Sequence, residues 1–336
     1  MRTIDWADGQ IHLIDQTRLP AELVLLHVTE LDPLIDAIAR LAVRGAPALG
    51  VAGAMGVAML AFRHEGDEAA IRSGAARLRA ARPTAVNLAW GVDRALARLV
   101  EGRDAVLAEA LAVRDEDIAA CAAMATRGAD LTRALVARER VRAMTICNTG
   151  ALAAVERGTA LGVIGELLAR GVLEEALPLE TRPLLQGARL TAWELAQMGA
   201  PFRLLPDGAS ASVLARGLAD ICFIGADRIA ANGDTANKIG SFTLSLGARN
   251  AGVPFVVVAP ESTVDLATPD GGHIEIEERG ADEVTSIRGV RTAPEGTRTL
   301  NPAFDVTPAA LITAIVTDRR VIRLDRGERP SDPILG

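Results

Sequence analysis

Lysine and tyrosine are the residues that this sequence most clearly lacks. Tyrosine is absent, aromatic residues make up only 3 % of the chain, and the 36 basic residues include a single lysine, Lys238. Arginine supplies positive charge almost everywhere, so a retained lysine indicates a position where a compact ammonium group is needed. Chance survival is the alternative. Asp227, Asp234 and Asn237 lie in the same glycine-containing segment as Lys238, and this grouping favours a functional site.

Cysteine and histidine are also scarce. The few that occur are scattered along the chain without metal-ligand spacing, and the cysteines are odd in number: Cys121, Cys147, Cys222, His12, His27, His64 and His273. A disulfide framework and a cysteine or histidine metal centre are therefore disfavoured. The pattern is typical of a protein of the reducing cytoplasm, and we expect no metal.

Long hydrophobic runs and basic blocks are missing as well. The longest apolar stretch, residues 49–62, has 14 residues and is rich in glycine, so it predicts a buried helix rather than a membrane span. The first residues do not resemble a signal peptide. The net charge is −7 and no stripe of arginines stands out, which disfavours a nucleic-acid partner. We expect a cytoplasmic protein that acts on neither membranes nor nucleic acids.

The first third of the chain predicts a small antiparallel sheet followed by helices. Residues 3–6 and 10–15 flank Asp8-Gly9, which is a strong hairpin signal, and residues 22–27 predict a third strand. Apolar residues then recur at spacings of three and four, as in a helical bundle. One helix carries glycines at a spacing of three, which predicts a close helix-packing face formed by Gly50, Gly53 and Gly56.

The rhythm changes after residue 140, where short apolar runs alternate with amphipathic helical segments. The runs are residues 142–146, 176–179, 202–205, 221–224 and 254–258. Such alternation predicts a parallel, doubly wound, Rossmann-like sheet. The predicted fold is therefore α/β. It combines an N-terminal domain of strands and helices, residues 1–135, with a C-terminal catalytic domain, residues 136–336.

Polar and glycine residues follow four of these predicted strands. The segments are residues 147–150, 180–183, 206–208 and 225–227. Ligands of an open parallel sheet bind beyond the carboxyl ends of its strands. Any one of these loops could be polar merely because loops usually are, but their joint placement predicts a site.

Cys147 and Asp227 are the candidate reactive groups of these loops. Cys147 lies beside a glycine turn and could serve as a nucleophile or an acid/base group; the alternative is a buried, inert thiol. Asp227 follows an apolar strand, so apolar surroundings could raise its pKa and make it a general acid; the alternative is an ion pair with an arginine.

Two arginines precede predicted helix starts. Arg44 is followed by Gly45, Ala46 and a glycine-rich helix, and Arg82 precedes a second helical segment. An arginine beside exposed backbone amides at a helix start can hold a phosphate. Taken alone, each arginine is better explained as a solvated surface residue. The sequence contains neither a Walker A motif nor a dinucleotide fingerprint.

Together these motifs resemble the methylthioribose-1-phosphate isomerase family. The matching segments are residues 44–48, 82–88, 147–150, 180–190, 225–228, 237–240 and 301–308. That family shares its fold with regulatory subunits of the nucleotide-exchange factor of translation initiation and with ribose-1,5-bisphosphate isomerases. The resemblance implies isomerisation of a ribose 1-phosphate altered at C5 to the ribulose 1-phosphate, without a cofactor, usually by a homodimer.

The resemblance also implies roles for individual residues. Cys147 and Asp227 would be the catalytic pair. The sugar phosphate would be bound by Arg44, Gly45, Ala46, Arg82, Gln186, Asn237 and Lys238. Two departures lie near the site, since Ile146 replaces a histidine and Leu179 an aspartate that the family commonly has.

Several alternatives stay open at this level. The substrate could be 5-methylthioribose 1-phosphate, a 5-deoxy or 5-halo analogue, or ribose 1,5-bisphosphate. The C2 hydrogen could move as a proton or as a hydride. A non-catalytic sugar-phosphate or nucleotide-binding subunit is the alternative of another class.

Overall fold

The computed structural model describes residues 2–83 and 85–334 of the chain. It separates into two units: unit 1 comprises Met1–Cys121 and Thr149–Gly158, and unit 2 comprises Ala122–Asn148 and Thr159–Gly336. Both helices and sheets, parallel and antiparallel, are present, so the predicted α/β class is confirmed. The predicted domain boundary between residues 135 and 136 stays a prediction.

Unit 1 begins with an antiparallel sheet. Its strands are β1 (Ile4–Ala7), β2 (Gln10–Ile14) and β3 (Leu25–Val28), in that order. Ala7 pairs with Gln10, which leaves Asp8 and Gly9 as a two-residue turn. Both turn residues have positive φ, 53° and 76°, as a tight hairpin turn matching the strand twist requires. The hairpin prediction is confirmed, and β3 begins three residues later than predicted.

Five α-helices lie between β3 and residue 136 in the part of the chain that the structure describes. They are α1 (Leu31–Ala39), α2 (Ala46–Arg63), α3 (Glu68–Arg79), α4 (Val86–Leu96) and α5 (Arg103–Leu135), of which α5 contributes to both units. Helix α2 is long and apolar enough to cross a membrane, but 78 % of it is buried inside the protein, as in a core helix. The predicted buried helix is confirmed.

Helices α2 and α4 approach each other closely because both carry glycines where they meet. A Cβ atom at Gly53 would lie 2.6 Å from the Leu88 oxygen, and one at Gly91 would lie 2.0 Å from the Gly50 oxygen. Neither position has room for a side chain. The predicted packing face is confirmed for Gly50 and Gly53, whereas Gly56 packs against leucines of α1 and α3 instead. The contact also brings the first turns of the two helices together, because Gly50 lies one turn into α2 and faces the oxygen of Asn87.

The main sheet of unit 2 has the strand order β15-β14-β9-β6-β4-β5. Its strands are β4 (Val141–Thr145), β5 (Leu173–Pro178), β6 (Ile221–Ile224), β9 (Phe255–Val258), β14 (Ala314–Val316) and β15 (Val321–Ile322). All neighbours are parallel except β14 and β15. The strand order reverses at β4, since the next strand, β5, lies on one side of it and β6 lies on the other.

Helices and short segments connect these strands. They are α6 (Ala160–Ala169), a π-helical turn (Gly187–Thr191), α7 (Ala192–Gln197), α8 (Ser210–Ala215), α9 (Ser241–Ala251) and α10 (Asp282–Thr285). The predicted strand at 202–205 makes only isolated parallel bridges, Phe202 to Ala176 and Leu205 to Leu179. It lies beside the edge strand β5 without a continuous ladder, so that prediction is wrong as stated.

A second sheet was not predicted from the sequence. Its order is β10-β7-β8-β13, formed by β7 (Arg228–Ala230), β8 (Thr235–Lys238), β10 (Val264–Asp265) and β13 (Phe304–Thr307). A further two-stranded pair is β11 (Ser286–Ile287) with β12 (Val290–Arg291). Asn237 and Lys238 therefore lie in a strand between two neighbours.

Candidate active site

Cys147 follows the central strand β4 and adopts an unusual backbone conformation. Its φ is +67°, in the left-handed region that residues with a Cβ atom rarely occupy. The side chain is buried, with 8 % of the residue exposed. Its backbone N–H donates to the hydroxyl oxygen of Thr181 at 2.8 Å, and its carbonyl accepts from the hydroxyl of Thr191 at 2.6 Å.

The loop after β5 is held by the loop that precedes α8. Both carboxylate oxygens of Asp207 accept backbone N–H groups, from Thr181 at 2.8 Å and from Arg182 at 2.7 Å. Thr181 bonds in turn to Cys147. Three of the polar segments predicted to follow strands are thus brought together, at 147, 181 and 207, which supports the expectation of a site at this edge of the sheet.

Asp227 leads from β6 into the second sheet. Its backbone N–H donates to the Ala236 oxygen of β8, one residue before β7 begins at Arg228. On the other side of β8, Asn237 pairs with Asp305 of β13. Directly opposed residues of antiparallel strands project to the same face. The side chains of Asn237 and Asp305 therefore leave the same face of this sheet.

The side chain of Asp227 is exposed. The expectation of a carboxyl in apolar surroundings is therefore wrong, because the apolar residues of β6 end at Ile224 and the chain has already left the core. A proton-transfer role for Asp227 stays a prediction, and exposure keeps the carboxylate accessible.

Asp305 is a further candidate site residue, opposite Asn237 in the second sheet. Its carboxylate accepts the backbone N–H groups of Gly240 at 2.8 Å and of Phe242 at 3.1 Å, at the start of α9. Burial raises the pKa of Asp305, while these two bonds and the nearby charge of Lys238 act in the opposite direction. The available signal was its place in the recognised segment 301–308.

Lys238 is buried at the end of β8. Its Nζ donates to the Ala303 oxygen at 2.9 Å and lies 4.8 Å from the centre of the Phe304 ring. Neighbouring residues of a strand project to opposite faces, so the side chains of Lys238 and Asn237 leave β8 in opposite directions. Asn237 is also buried, and its amide donates to the Ser241 hydroxyl at 2.8 Å.

Gln186 sits in the tightly packed segment after β5, just before the π-helical turn. It is 4 % exposed, and its Oε1 is buried without a hydrogen-bond partner among the residues that the structure describes. Next to it, a Cβ atom at Gly187 would lie 1.6 Å from the Leu179 oxygen and 2.9 Å from the Thr181 hydroxyl oxygen. The main chain at Gly187 thus packs directly against the threonine that bonds Cys147.

The two departures from the family pattern form part of the core. Ile146 and Leu179 are both buried, with 1 % and 2 % exposure, and belong to one apolar cluster of unit 2. Ile146 also approaches Gly240, where a Cβ atom would lie 2.9 Å from its Cδ1. This packing brings the residue before Cys147 against the start of α9. Neither side chain brings a charge to the site.

The predicted anion-binding loops lie in unit 1. Gly45 precedes α2 with φ +92°, and a Cβ atom there would lie 2.3 Å from the Ala153 oxygen. Ala46 is the first residue of α2, and Arg44 is half-buried. The predicted helix start after Arg44 is confirmed.

The second loop has the same relation to α4. Arg82 is half-buried and its carbonyl accepts the N–H of Ala85, just before α4 begins at Val86. Thr84 of the recognised segment lies outside the described residues. The first turns of α2 and α4 meet at Gly50 and Asn87, and anion binding by the two loops stays a prediction.

The other two cysteines have no place in this site. Cys121 lies in α5 and Cys222 in β6, and both are buried. Burial raises the pKa of the Cys222 thiol. The predicted burial of both thiols is confirmed, and their inertness stays a prediction.

Comparison with curated proteins gives close relatives over nearly the whole chain. A probable bifunctional methylthioribose-1-phosphate isomerase/methylthioribulose-1-phosphate dehydratase from Nocardia farcinica is 52 % identical; the match covers 96 % of this chain but 60 % of that protein. A methylthioribose-1-phosphate isomerase from Anaeromyxobacter sp. strain K is 53 % identical, covering 95 % and 92 %. A 5-deoxyribose 1-phosphate isomerase from Moorella thermoacetica is 47 % identical, covering 95 % and 93 %.

Solved structures with the same fold carry two kinds of description. A 5-methylthioribose 1-phosphate isomerase from Pyrococcus horikoshii OT3 is 37 % identical with a TM-score of 0.88, covering 96 % of this chain and 92 % of that one. A translation initiation factor eIF-2B subunit delta from A. fulgidus is 38 % identical with the same TM-score, covering 96 % of both. The model of the initiation factor 2 subunit family matches residues 42–323. The chain therefore belongs to the initiation factor 2 subunit family, and the resemblance to its methylthioribose-1-phosphate isomerases is confirmed.

Proposed function

We propose that this chain is an aldose–ketose isomerase that converts 5-methylthioribose 1-phosphate to 5-methylthioribulose 1-phosphate. The relatives named for this reaction match at about half identity over almost the whole chain. The chain spans 60 % of the bifunctional Nocardia protein, so the dehydratase activity in that protein's name is not part of the proposal.

The observation that best supports a sugar ligand is the buried carboxamide of Gln186. Leaving a buried acceptor without a donor costs about 1–3 kcal/mol, and its Oε1 has no partner among the described residues. A sugar hydroxyl would supply the missing donor. Gln186 adjoins Gly187, which packs against Thr181, and Thr181 bonds to Cys147. The unpaired Oε1 of Gln186 is thus linked to the candidate reactive thiol of Cys147 through Gly187 and Thr181.

We also propose that the main sheet of unit 2 is doubly wound and binds its ligand at the reversal of strand order. Ligands of such sheets bind beyond the carboxyl ends of the strands that flank the reversal. The strand order reverses at β4, and β4 and β6 are neighbours. Cys147 follows β4 and Asp227 follows β6, so both candidate catalytic residues leave the sheet at this position.

The reaction needs groups that move protons without a cofactor. The ring oxygen must receive a proton as its bond to C1 breaks, because the phosphate on the anomeric oxygen prevents spontaneous opening. The C2 hydrogen then moves to C1, and the C2 hydroxyl proton leaves to give the ketone. We propose that Asp227 handles the oxygen-bound protons and Cys147 the hydrogen transfer. Arg44, Gly45, Ala46, Arg82, Asn237 and Lys238 are proposed to bind the sugar phosphate.

The buried Ile146 and Leu179 support a substrate with an uncharged C5 substituent. A second phosphate at C5 would need its own cationic partner, and these two side chains supply none. We therefore propose 5-methylthio- and 5-deoxyribose 1-phosphates as substrates, in line with the Moorella relative's name, and ribose 1,5-bisphosphate as a poor one. On the resemblance alone we also propose that the protein is cytoplasmic and forms a homodimer. Light scattering would test the dimer.

The test is a proton NMR assay of ketose formation with a panel of C5-substituted ribose 1-phosphates. Wild type should turn over the 5-methylthio or 5-deoxy compound, and Cys147→Ser and Asp227→Asn should lose roughly 10²–10⁴-fold in rate while keeping their fold by circular dichroism. In heavy water, deuterium at C1 of the product indicates proton transfer, and full retention of the substrate hydrogen favours a hydride shift.

Two outcomes would contradict the proposal. Faster turnover of ribose 1,5-bisphosphate than of every 5-deoxy compound would overturn the substrate assignment. The equal similarity to an initiation-factor subunit supports the second candidate, a non-catalytic binding subunit. Thermal stabilisation by nucleoside phosphates with no turnover of any ribose 1-phosphate would establish that candidate instead.

A further inference from the structure

The left-handed backbone of Cys147 is the starting point. Residues with a Cβ atom avoid this conformation because the Cβ atom crowds the following carbonyl oxygen. Such strain persists only where surrounding groups over-determine it, and it clusters at functional sites. Cys147 has a φ of +67° although it comes soon after the regular strand β4. The contacts that hold it in place are therefore informative.

Two buried threonines fix the peptide groups on both sides of Cys147. The Thr181 hydroxyl oxygen accepts its N–H at 2.8 Å, and the Thr191 hydroxyl donates to its carbonyl at 2.6 Å. Thr181 has no exposed surface, and Thr191 has 1 %. With both peptide groups bound to fixed partners, the Cα–Cβ bond of Cys147 has a defined direction.

Thr181 can act only as a hydrogen-bond acceptor towards Cys147. Its hydroxyl hydrogen is directed to the Leu179 oxygen at 2.9 Å, so the oxygen lone pairs face the Cys147 N–H. Thr181 is itself left-handed, at φ +66°, and its own N–H is held by Asp207. The main chain of Gly187 packs against the same hydroxyl group. The acceptor is thus fixed from three sides.

The Thr191 side is braced in a similar way. The Asn148 amide donates to the Thr191 hydroxyl at 3.3 Å and to Oε1 of Glu194 at 2.6 Å. Asn148 directly follows Cys147, and all three polar side chains are buried. Hydrogen bonds therefore hold the peptide groups on both sides of Cys147 and also the side chain of Asn148 that follows.

We propose that Thr181 is a positioning residue that holds the Cys147 thiol in its reactive orientation, with Asp207 fixing Thr181 from behind. The inference rests on the proposed function of Cys147. Removing the hydroxyl leaves the Cys147 N–H buried without an acceptor and releases the left-handed turn. The thiol then moves, and small displacements of a reacting group reduce rates by roughly 10- to 100-fold.

The test compares Thr181→Val, Thr181→Ser and the matched control Thr132→Val. Thr132 is buried in α5, and its hydroxyl also donates to one backbone oxygen, that of Gly128. Each variant is assayed for kcat and KM, and for the pH profile of iodoacetamide modification at Cys147, followed by peptide mass spectrometry. The alkylation readout needs neither substrate nor turnover.

Thr181→Val should lower kcat roughly 10- to 100-fold with little change in KM, and should shift the alkylation profile of Cys147. Thr181→Ser, which keeps the acceptor, should restore both, and Thr132→Val should alter neither. Should the valine variant not fold, Asp207→Asn takes its place, since it loosens Thr181 without emptying the core. Wild-type kcat and alkylation in whichever of the two folds would overturn the positioning role.

The failure of this inference is separable from the failure of the proposed function. Full activity in Cys147→Ser would remove the catalytic assignment. The alkylation profiles of the threonine variants would still show whether Thr181 orients the thiol.

Discussion

Asp117 of helix α5 should make the stability of this protein depend on pH near neutrality. Burial raises the pKa of Asp117 to about 7 from 3.8, with a bond from the Val155 N–H at 3.0 Å acting in the opposite direction. The Sγ of Cys121 lies 3.9 Å from its other oxygen. Between these two values of pH the folded chain binds a proton that the unfolded chain has released.

The sign of the effect follows from the raised pKa. Stabilisation by the protonated carboxyl is fully present below the unfolded value of 3.8 and is lost as the pH rises through about 7. One pKa unit corresponds to about 1.4 kcal/mol, so the free energy of unfolding should fall by at most about 4 kcal/mol across this window. Because the side chain is half-buried, about 2–4 kcal/mol is the expected range.

The assay is urea unfolding of wild type and Asp117→Asn, followed by circular dichroism from about pH 4 to about pH 8. Asparagine removes the titration, so the difference in unfolding free energy between the two proteins isolates this carboxyl from all others. Wild type should lose stability relative to the variant as the pH rises. Asp104→Asn, an exposed change on the same helix, is the control and should show no such trend. A difference between wild type and Asp117→Asn that stays constant with pH would refute the reasoning.

Three further changes test the architecture around the site. Lys238→Ala should lower both the melting temperature and substrate turnover, because a buried bond to Ala303 is lost, and Lys238→Arg should fail to restore either in the same two assays. Asp305→Ala should lower the unfolding free energy by about 1–2 kcal/mol, as loss of a helix cap does, measured by urea unfolding. Gly187→Ala should destabilise by about 1–3 kcal/mol or more, because its Cβ would meet the Leu179 oxygen; a stable, active variant would contradict the geometry.

Much of the fold was predictable because its elements carry strong local signals. The turn residues Asp8 and Gly9 fixed the first hairpin, and the predicted strand segment 221–224 coincides with β6. In each case periodicity or turn chemistry agrees with the tertiary environment. The carboxyl ends of parallel strands could be placed in the same way, which located Cys147.

The second sheet was not predictable by these means. Its strands have two to four residues, and β8 reads Thr-Ala-Asn-Lys, without an apolar alternation. Such strands form because their neighbours pair with them, and a tertiary contact leaves no local pattern in the sequence. The same limit hid Asp305, which is distant in sequence from Asn237 but pairs with it in register.

The hydrogen bonds at Cys147 were out of reach for a different reason. The sequence marks a glycine turn after β4 but does not reveal a left-handed residue at Cys147 itself. Threonine is common in every environment, so Thr181 and Thr191 carried no signal of their own. Only their directions in the folded chain identify them.

The single lysine gives this protein a built-in reporter of local opening. Endoproteinase Lys-C cleaves after lysine, so the chain has one cleavage point, between Lys238 and Ile239. That bond ends a strand paired on both sides, and Lys238 is only 8 % exposed. Cleavage therefore requires the sheet to open, and its rate under native conditions measures how often it does. A ligand that binds this sheet should slow the appearance of the two fragments, whether or not it is turned over.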